Sequence, residues 1–210
     1  DLDSVPQDAI DSFAGVGYFF HLAALKPGES VVDLGSGSGM DTFVAALKVG
    51  PIGSVVGIDM TDAQLAKAGR LARSEGFSYV TYRKGYIENT GLEAGTFDCI
   101  ISNGVINLAP DKGRVFAEAA RLLRSGGRLA VADIVTDTSL PDTVVCNADL
   151  WAACIGGAAQ RDDYRVAIER AGLRVESLED NPHYEFISDR AKRATAKYGV
   201  KSVSVLAYKP

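Results

Sequence analysis

The chain has 210 residues, 47% of them hydrophobic, so it can bury one sizeable core, and we expect a single domain over residues 1–210. Its net charge of -5 argues against a nucleic-acid partner, because contacts to phosphates require clustered Lys and Arg. The three cysteines are few for a disulfide framework, and the early apolar run from Val16 to Leu25 is too short to span a membrane. We therefore expect a cytoplasmic protein without a membrane partner that acts on small molecules.

The first 25 residues predict helix, because apolar residues recur at helical spacing between Gln7 and Leu25. Gly15 and Gly17 indicate a break that divides this stretch into two short pieces. We interpret residues 1–25 as a lid over a ligand pocket.

The organising stretch is SVVDLGSGSG, from Ser30 to Gly39. A buried strand runs into a loop with glycine at every second position, and Asp41 to Val49 predicts the following helix. Glycine lets this loop turn sharply and contact a ligand, because no Cβ stands in the way. A dinucleotide site would carry a third glycine where Met40 stands, and the charge of Asp33 would repel phosphates. The pattern favours a ligand with a cationic group over a nicotinamide cofactor.

The rest of the chain alternates strands and helices. The predicted strands are Ser54 to Asp59, Tyr79 to Lys84, Thr96 to Ser102, Arg128 to Ile134, Leu173 to Leu178 and Ser202 to Tyr208. The predicted helices begin at the capping box TDAQ from Thr61, at Pro110 as the first helical residue, after Pro141, at Asp162 and at Ser188. This alternation predicts an α/β fold with a mostly parallel sheet and ligands at the carboxyl ends of its strands.

The motifs VVDLGSGSG, VVGIDMT, GYIEN, FDCIISNGVINLAPDK, LLRSGGRLAVADIV and ACIGGA resemble those of class I S-adenosylmethionine-dependent methyltransferases, and specifically of the arsenite methyltransferase group. The resemblance implies a Rossmann-like, seven-stranded, mostly parallel sheet with helices on both faces. It also implies a final antiparallel strand beside the fifth strand. The implied cofactor is S-adenosyl-L-methionine, and the implied activity is methyl transfer to a small-molecule acceptor.

The same resemblance assigns the cofactor-binding residues. The glycine loop would hold the methionine moiety, Asp59 the ribose and Met60 the adenine face, while Ile87 and Glu88 would contact the adenine edge. Asn103 would lie beside the methionine end. The full cofactor set is Asp33, Gly35, Ser36, Gly37, Asp59, Met60, Ile87, Glu88 and Asn103.

The acceptor site departs from the family pattern. Arsenite methyltransferases hold As(III) through three cysteines, a soft ligand set for a thiophilic centre. The corresponding positions here are Val16, Gly104 and Cys154, so only the third thiol remains. We expect an apolar acceptor chamber, with Tyr18, Trp151 and Tyr184 among its candidate walls. No metal site is expected.

The candidate catalytic residues are Cys154, beside the acceptor, and His183, as a base in the loop PHY. Methyl transfer depends mainly on alignment and exclusion of water, so a base is not obligatory. The leading hypothesis is therefore a methyltransferase with an organic small-molecule acceptor. Two alternatives stay open: an arsenite methyltransferase that uses Cys154, and an S-adenosylmethionine-binding protein without catalysis. The sequence does not set the oligomeric state.

Overall fold

The computed structural model describes residues 2–152, 154–186 and 189–210. Its centre is one sheet with the strand order β3-β2-β1-β4-β5-β8-β7, and a two-residue strand, β6, pairs with β5. The strands are β1 (Ser30–Leu34), β2 (Ser54–Asp59), β3 (Val80–Lys84), β4 (Phe97–Asn103), β5 (Leu123–Thr136), β6 (Ala159–Gln160), β7 (Arg174–Asp180) and β8 (Lys201–Tyr208).

Helices connect these strands and cover the sheet. They are α1 (Gln7–Ile10), α2 (Phe20–Ala23), α3 (Met40–Val49), α4 (Asp62–Ser74), α5 (Lys112–Leu122), α6 (Asp142–Val145), α7 (Ala148–Ala152), α8 (Arg161–Arg170) and α9 (Asp189–Tyr198). Within the described ranges, we find no helix with both the length and the apolar character needed to cross a membrane.

The sheet is parallel from β3 to β5, and β8 runs antiparallel between β5 and β7. Val131 of β5 pairs with Val205 of β8 at the centre of this antiparallel ladder. Two buried apolar clusters lie against the sheet, which is why the inner strands carry continuous apolar runs. The predicted α/β class, the Rossmann-like sheet and the antiparallel strand are confirmed, and β6 adds a short strand that the sequence did not indicate.

The strand order reverses between β1 and β4, which flank each other at the centre of the sheet. In the register, Leu34 of β1 lies beside Ile58 of β2 on one side and Ser102 of β4 on the other. The carboxyl ends of these three strands therefore open into one crevice, where a doubly wound sheet binds its ligands.

One cap and one helix start differ from the sequence prediction. α4 begins after Thr61 as predicted, but the Thr61 side chain makes no capping hydrogen bond. The Gln64 side chain accepts from Ser38 in the glycine loop, and the Thr61 amide donates to Asp59 instead. Pro110 is not the first residue of α5: Asp111 caps that helix by accepting from the Arg114 amide at 3.1 Å. In the first case a tertiary contact replaces the local one.

Three other boundaries are sharpened. The break predicted near Gly15 and Gly17 is wide, since α1 ends at Ile10 and α2 begins at Phe20. β5 begins at Leu123, where a short pairing with Phe97 precedes the regular ladder that resumes at Arg128. Ser188, the predicted start of the last helix, lies outside the described residues.

Candidate active site

Two adjoining cavities open at the carboxyl ends of β1, β2 and β4. The first, of about 270 Å³, is lined by the glycine loop, Asp41, Asn103, Cys154 and residues 12–15. The second, of about 500 Å³, is lined by Asp59, Met60 and residues 85–88. Both contact Gly35, Val105 and Leu108, so they form neighbouring compartments of one cleft. A larger cleft of about 580 Å³ beside α4 and β3 contains none of the predicted site residues.

The glycine loop is shaped by a close contact with the loop after β4. Gly35 has φ +77°, a left-handed conformation, and a Cβ added there would lie 2.5 Å from a methyl carbon of Val105. Any side chain at Gly35 would therefore be strained and would also collide with the wall that both cavities share. Ser36 and Gly37 continue the loop along the first cavity, as the sequence predicted.

Two buried carboxyl groups lie in the first cavity. Asp33 accepts a hydrogen bond from the Thr42 hydroxyl at 2.6 Å, and Asp41 accepts one from the Asn103 amide at 2.9 Å. Burial, with the neighbouring charge of Asp41, raises the pKa of Asp33 to about 8. Burial likewise raises the pKa of Asp41 to about 7. No ion pair to a Lys or Arg involves either group among the described residues, so a cationic ligand would find its counter-charge here.

Asp41 was missed by the sequence analysis. The signal for it is weak: Asp41 stands in the first turn of α3, where an acidic residue is favourable for any helix. Asp41 is distinguished by its burial in a helix whose other residues are largely apolar. Only the tertiary structure shows this burial.

Asn103 connects the N-terminal segment to the cavity. Its side-chain oxygen accepts from the Val16 amide at 2.7 Å, and its amide nitrogen donates to Gly17 at 3.0 Å and to Asp41. This one side chain therefore holds residues 16 and 17 over the first cavity and orients a carboxyl group inside it. The sequence placed Asn103 at the methionine end but did not indicate its contacts with residues 16 and 17.

Asp59 joins the second cavity to the glycine loop. Its two carboxylate oxygens accept from the Gly37 amide at 2.9 Å and the Thr61 amide at 2.8 Å. Each oxygen retains acceptor capacity for a ligand hydroxyl, since a carboxylate offers about four lone-pair sites. Met60, Ile87 and Glu88 line the same cavity, and Met60 is 64% exposed.

The three positions that the motif resemblance aligns with the expected thiols lie together. The Cys154 Sγ lies 3.4 Å from the Gly104 carbonyl oxygen, and a Cβ at Gly104 would lie 3.0 Å from a Val16 methyl carbon. Gly104 has φ +67°. Gly104 and Cys154 line the first cavity and Val16 is buried beside Gly104; we call these three residues the acceptor triplet.

The other candidates lie elsewhere. His183 is exposed and lines neither cavity, and Tyr18 is 61% exposed. Cys99 is buried in β4 and Cys146 is exposed. The described part of the chain brings no three His, Cys, Asp or Glu side chains together as a metal site. Burial raises the pKa of Tyr184, and the nearby Cys154 raises it further, so Tyr184 lies close to that thiol.

Comparison with known proteins then identifies the fold. A family model described as "Methyltransferase domain" matches residues 25–172, which is most of the chain and includes both cavities' strand ends. The chain belongs to this methyltransferase domain family. The family assignment confirms the sequence-based interpretation of an S-adenosylmethionine-dependent methyltransferase domain.

Its relatives place this methyltransferase domain in the arsenite methyltransferase-like group. It is 40% identical to an arsenite methyltransferase of Halobacterium salinarum, over 100% of this chain and 54% of that protein. It is 45% identical to that of Aquipseudomonas alcaligenes, over 76% and 48% respectively. A solved arsenic (III) S-adenosylmethionine methyltransferase from Chlamydomonas reinhardtii superposes with a TM-score of 0.84 at 34% identity, covering 100% of this chain and 72% of that one. The chain thus spans about half the length of these curated relatives.

Proposed function

We propose that this domain transfers a methyl group from S-adenosylmethionine to a small-molecule acceptor. The observation that carries the proposal is the pair of buried carboxyl groups, Asp33 and Asp41, in a cavity where no Lys or Arg of the described residues forms an ion pair with them. A buried like-charge pair costs free energy unless a ligand supplies the opposite charge. The ammonium group of S-adenosylmethionine supplies that charge.

The remaining site residues fit the rest of the cofactor. Asp59 would accept from the ribose hydroxyls, and Met60, Ile87 and Glu88 would border the adenine in the second cavity. Gly35, Ser36 and Gly37 would pass beneath the methionine moiety, with Asn103 above it. When bound, the cofactor supplies a methyl carbon on a sulfonium, which is an activated leaving group.

The chain's own contribution is positioning. The contacts of Asn103 with residues 16 and 17 support a lid role for residues 1–25, because they hold this segment over the methionine end. A covered cavity excludes water and fixes the acceptor in line with the methyl group, which supplies much of the rate of a displacement. His183 as a base stays a prediction, and its exposure outside both cavities lends it no support.

The acceptor triplet favours an organic acceptor over arsenite. One thiol, Cys154, offers a single soft ligand, whereas a trivalent arsenic centre is held most firmly by several. Arsenite methylation stays as the second candidate because the relatives carry that name and Cys154 lines the cavity. A cytoplasmic location and the absence of a nucleic-acid partner stay predictions.

The test of the cofactor is calorimetry with S-adenosylmethionine and S-adenosylhomocysteine on the full chain. We expect binding of both in the micromolar range, and absence of binding would refute the proposal. Turnover to S-adenosylhomocysteine with a metabolite extract separates an enzyme from a binding protein. Formation of methylated arsenic from arsenite with excess thiol, lost in Cys154→Ser, would instead favour the second candidate.

A further inference from the structure

The loop after β4 and the loop after α7 pack against each other beside the acceptor triplet. A Cβ on Gly157 would lie 2.1 Å from the Asn107 carbonyl oxygen, so this glycine permits the two backbones to touch. Cys154 lies in the same turn with φ +60°, an uncommon conformation for a residue with a side chain. Something must hold Cys154 in that conformation.

Asn107 makes the contact that does so. Its side-chain amide donates to the Cys154 carbonyl oxygen, and Asn107 is completely buried. A carbonyl oxygen can only accept, so the group that faces it must be the NH₂ end of the amide. The other end, Oδ1, is buried and has no hydrogen-bond partner in the described part of the chain. The side chain therefore donates to Cys154 although this leaves its own oxygen unpaired, which costs free energy in a buried site.

A buried carboxyl group fixes Asn107 from behind. Asp133, in β5, accepts from the Asn107 backbone amide at 2.9 Å and from the Tyr164 hydroxyl at 2.8 Å. Lys112 lies nearby: burial lowers the pKa of its amine, and the charge of Asp133 partly offsets that decrease. The order Tyr164, Asp133, Asn107, Cys154 is thus a continuous chain from α8 to the cavity.

We propose that Asn107 is a positioning residue that holds the Cys154 thiol towards the methyl acceptor, with Asp133 and Tyr164 fixing Asn107. The inference rests on the proposed function, in which Cys154 borders the acceptor. It adds to that function a residue, Asn107, that affects the acceptor site through its contact with Cys154. The amide also faces the thiol itself, because it opposes the rise in the Cys154 pKa that burial causes.

The test measures the reactivity of Cys154 towards iodoacetamide from pH 6 to pH 10 by mass spectrometry on the full chain. The groups facing this thiol are Asn107, Asp133 and Tyr184, and the cavity also holds Asp33 and Asp41. Asn107→Asp keeps the shape of the side chain but removes the donor. We expect alkylation of Cys154 at pH 7 to slow at least about tenfold, with the pH profile displaced upwards, because the donor that holds Cys154 through its carbonyl oxygen, and that opposes the rise in the pKa of the thiol, is lost.

Tyr164→Phe tests the far end of the chain, since it removes one hydrogen bond to Asp133 and touches neither Asn107 nor Cys154. We expect slowing of about threefold, in line with a single hydrogen bond of roughly 0.7 kcal/mol. Thr90→Val is the matched control, because Thr90 is a buried donor to Glu118 outside this chain of contacts. The exposed Cys146 is the internal control and should react equally in every variant.

A wild-type pH profile for Cys154 in Asn107→Asp, with Cys146 unchanged, would overturn the proposal. Should that variant fail to fold, Asn107→Ser carries the same expectation, since its hydroxyl is too short to reach Cys154. S-adenosylhomocysteine should still bind Asn107→Asp in calorimetry, because Asn107 lines neither cavity. If S-adenosylhomocysteine fails to bind even the wild-type chain, the proposed function is refuted. The alkylation experiment tests the role of Asn107 independently of that result.

Discussion

The two ends of the first cavity are held by different kinds of contact. At the end that we propose for the cofactor, Asp33, Asp41 and Asn103 form directional hydrogen bonds that reach from β1 to the N-terminal segment. At the acceptor end, Val16 and Gly104 offer only shape, and Cys154 supplies the single reactive group. Charge recognition specifies its ligand narrowly, whereas an apolar corner accepts many ligands of suitable shape. This is why the structure identifies the cofactor more sharply than the acceptor.

The strongest way to break this contrast is to remove a charge from the cofactor end. We expect Asp33→Asn to weaken S-adenosylhomocysteine binding by about 100-fold, because about 3 kcal/mol is lost when one partner of a buried ionic contact is removed. Above about pH 8, where Asp33 is ionised, the free protein should become more stable, since a costly buried charge is removed. Calorimetry and thermal unfolding measure the two effects.

The matched control for that change is Asp62→Asn. Asp62 pairs with Lys84 on the surface, and its side chain is 79% exposed, so binding should change less than about twofold. A fall in both the stability and the affinity of Asp33→Asn would mean that Asp33 holds the loop and not the ligand.

The acceptor end can be converted towards the family pattern with Val16→Cys combined with Gly104→Cys. Two added thiols beside Cys154 should tighten arsenite binding by about 100-fold through multivalency. The only tryptophan, Trp151, packs against Gly156 two residues beyond Cys154, so its fluorescence reports the titration.

The single variant Gly104→Cys should gain less and lose stability by about 1–2 kcal/mol, because φ is +67° there. Its Cβ would also press on Val16, and the double variant relieves this contact because cysteine carries one γ atom. Equal arsenite affinity in wild type and the double variant would show that the three positions do not converge in solution.

Asn103→Ala removes a side chain that hydrogen-bonds both to residues 16 and 17 and to Asp41, and so tests whether the N-terminal segment is coupled to the first cavity. Loss of its two hydrogen bonds to residues 16 and 17 should weaken cofactor binding by roughly 30-fold, at about 1 kcal/mol for each bond. Proteolysis within residues 11–19 should become faster. Unchanged proteolysis with weakened binding would restrict Asn103 to its contact with Asp41.

The smallest effect is a pH dependence of cofactor affinity. The pKa of Asp41 is about 7 and that of Asp33 about 8, so one proton must leave this pair before an ammonium group can bind to it as a counter-charge. Affinity at pH 6 should therefore be about fivefold weaker than at pH 7, with proton release visible by calorimetry in two buffers. Above about pH 8 the ligand's own amino group loses its proton, and affinity should fall again.

Stability of the free protein should change in the opposite direction. The folded-state pKa values lie above the unfolded value of 3.8, so the folded chain binds more protons between about pH 4 and pH 8. The contribution of these groups to stability is then greatest at low pH and is lost as pH rises through 7 and 8. An affinity that is flat from pH 6 to pH 8 would contradict the role of both carboxyl groups.

Much of the fold follows from local patterns. β2 was predicted at its observed bounds, from Ser54 to Asp59, because a buried parallel strand is a continuous apolar run between turn signals. The predicted capping box at Thr61 was wrong: the Gln64 side chain accepts a hydrogen bond from Ser38 in the glycine loop, a tertiary contact that no local sequence pattern encodes. The same limit applies at the site: Gly35 and Asp59 follow from spacing, whereas Asp41 and Asn107 do not.

The sequence by itself determined the class of fold, from the alternation of strands and helices, and a pocket that favours a cationic ligand group, from its glycines and the charge of Asp33. The resemblance of its motifs to a known family added the cofactor and the three positions that depart from the family pattern. Only the tertiary structure decided that Asp41 adds a second buried carboxyl group, that Asn103 binds residue 16 and Asp41 together, and that Val16, Gly104 and Cys154 lie side by side. These residues are up to 138 positions apart, from 16 to 154, and burial and pairing across such separations depend on how the whole sheet packs.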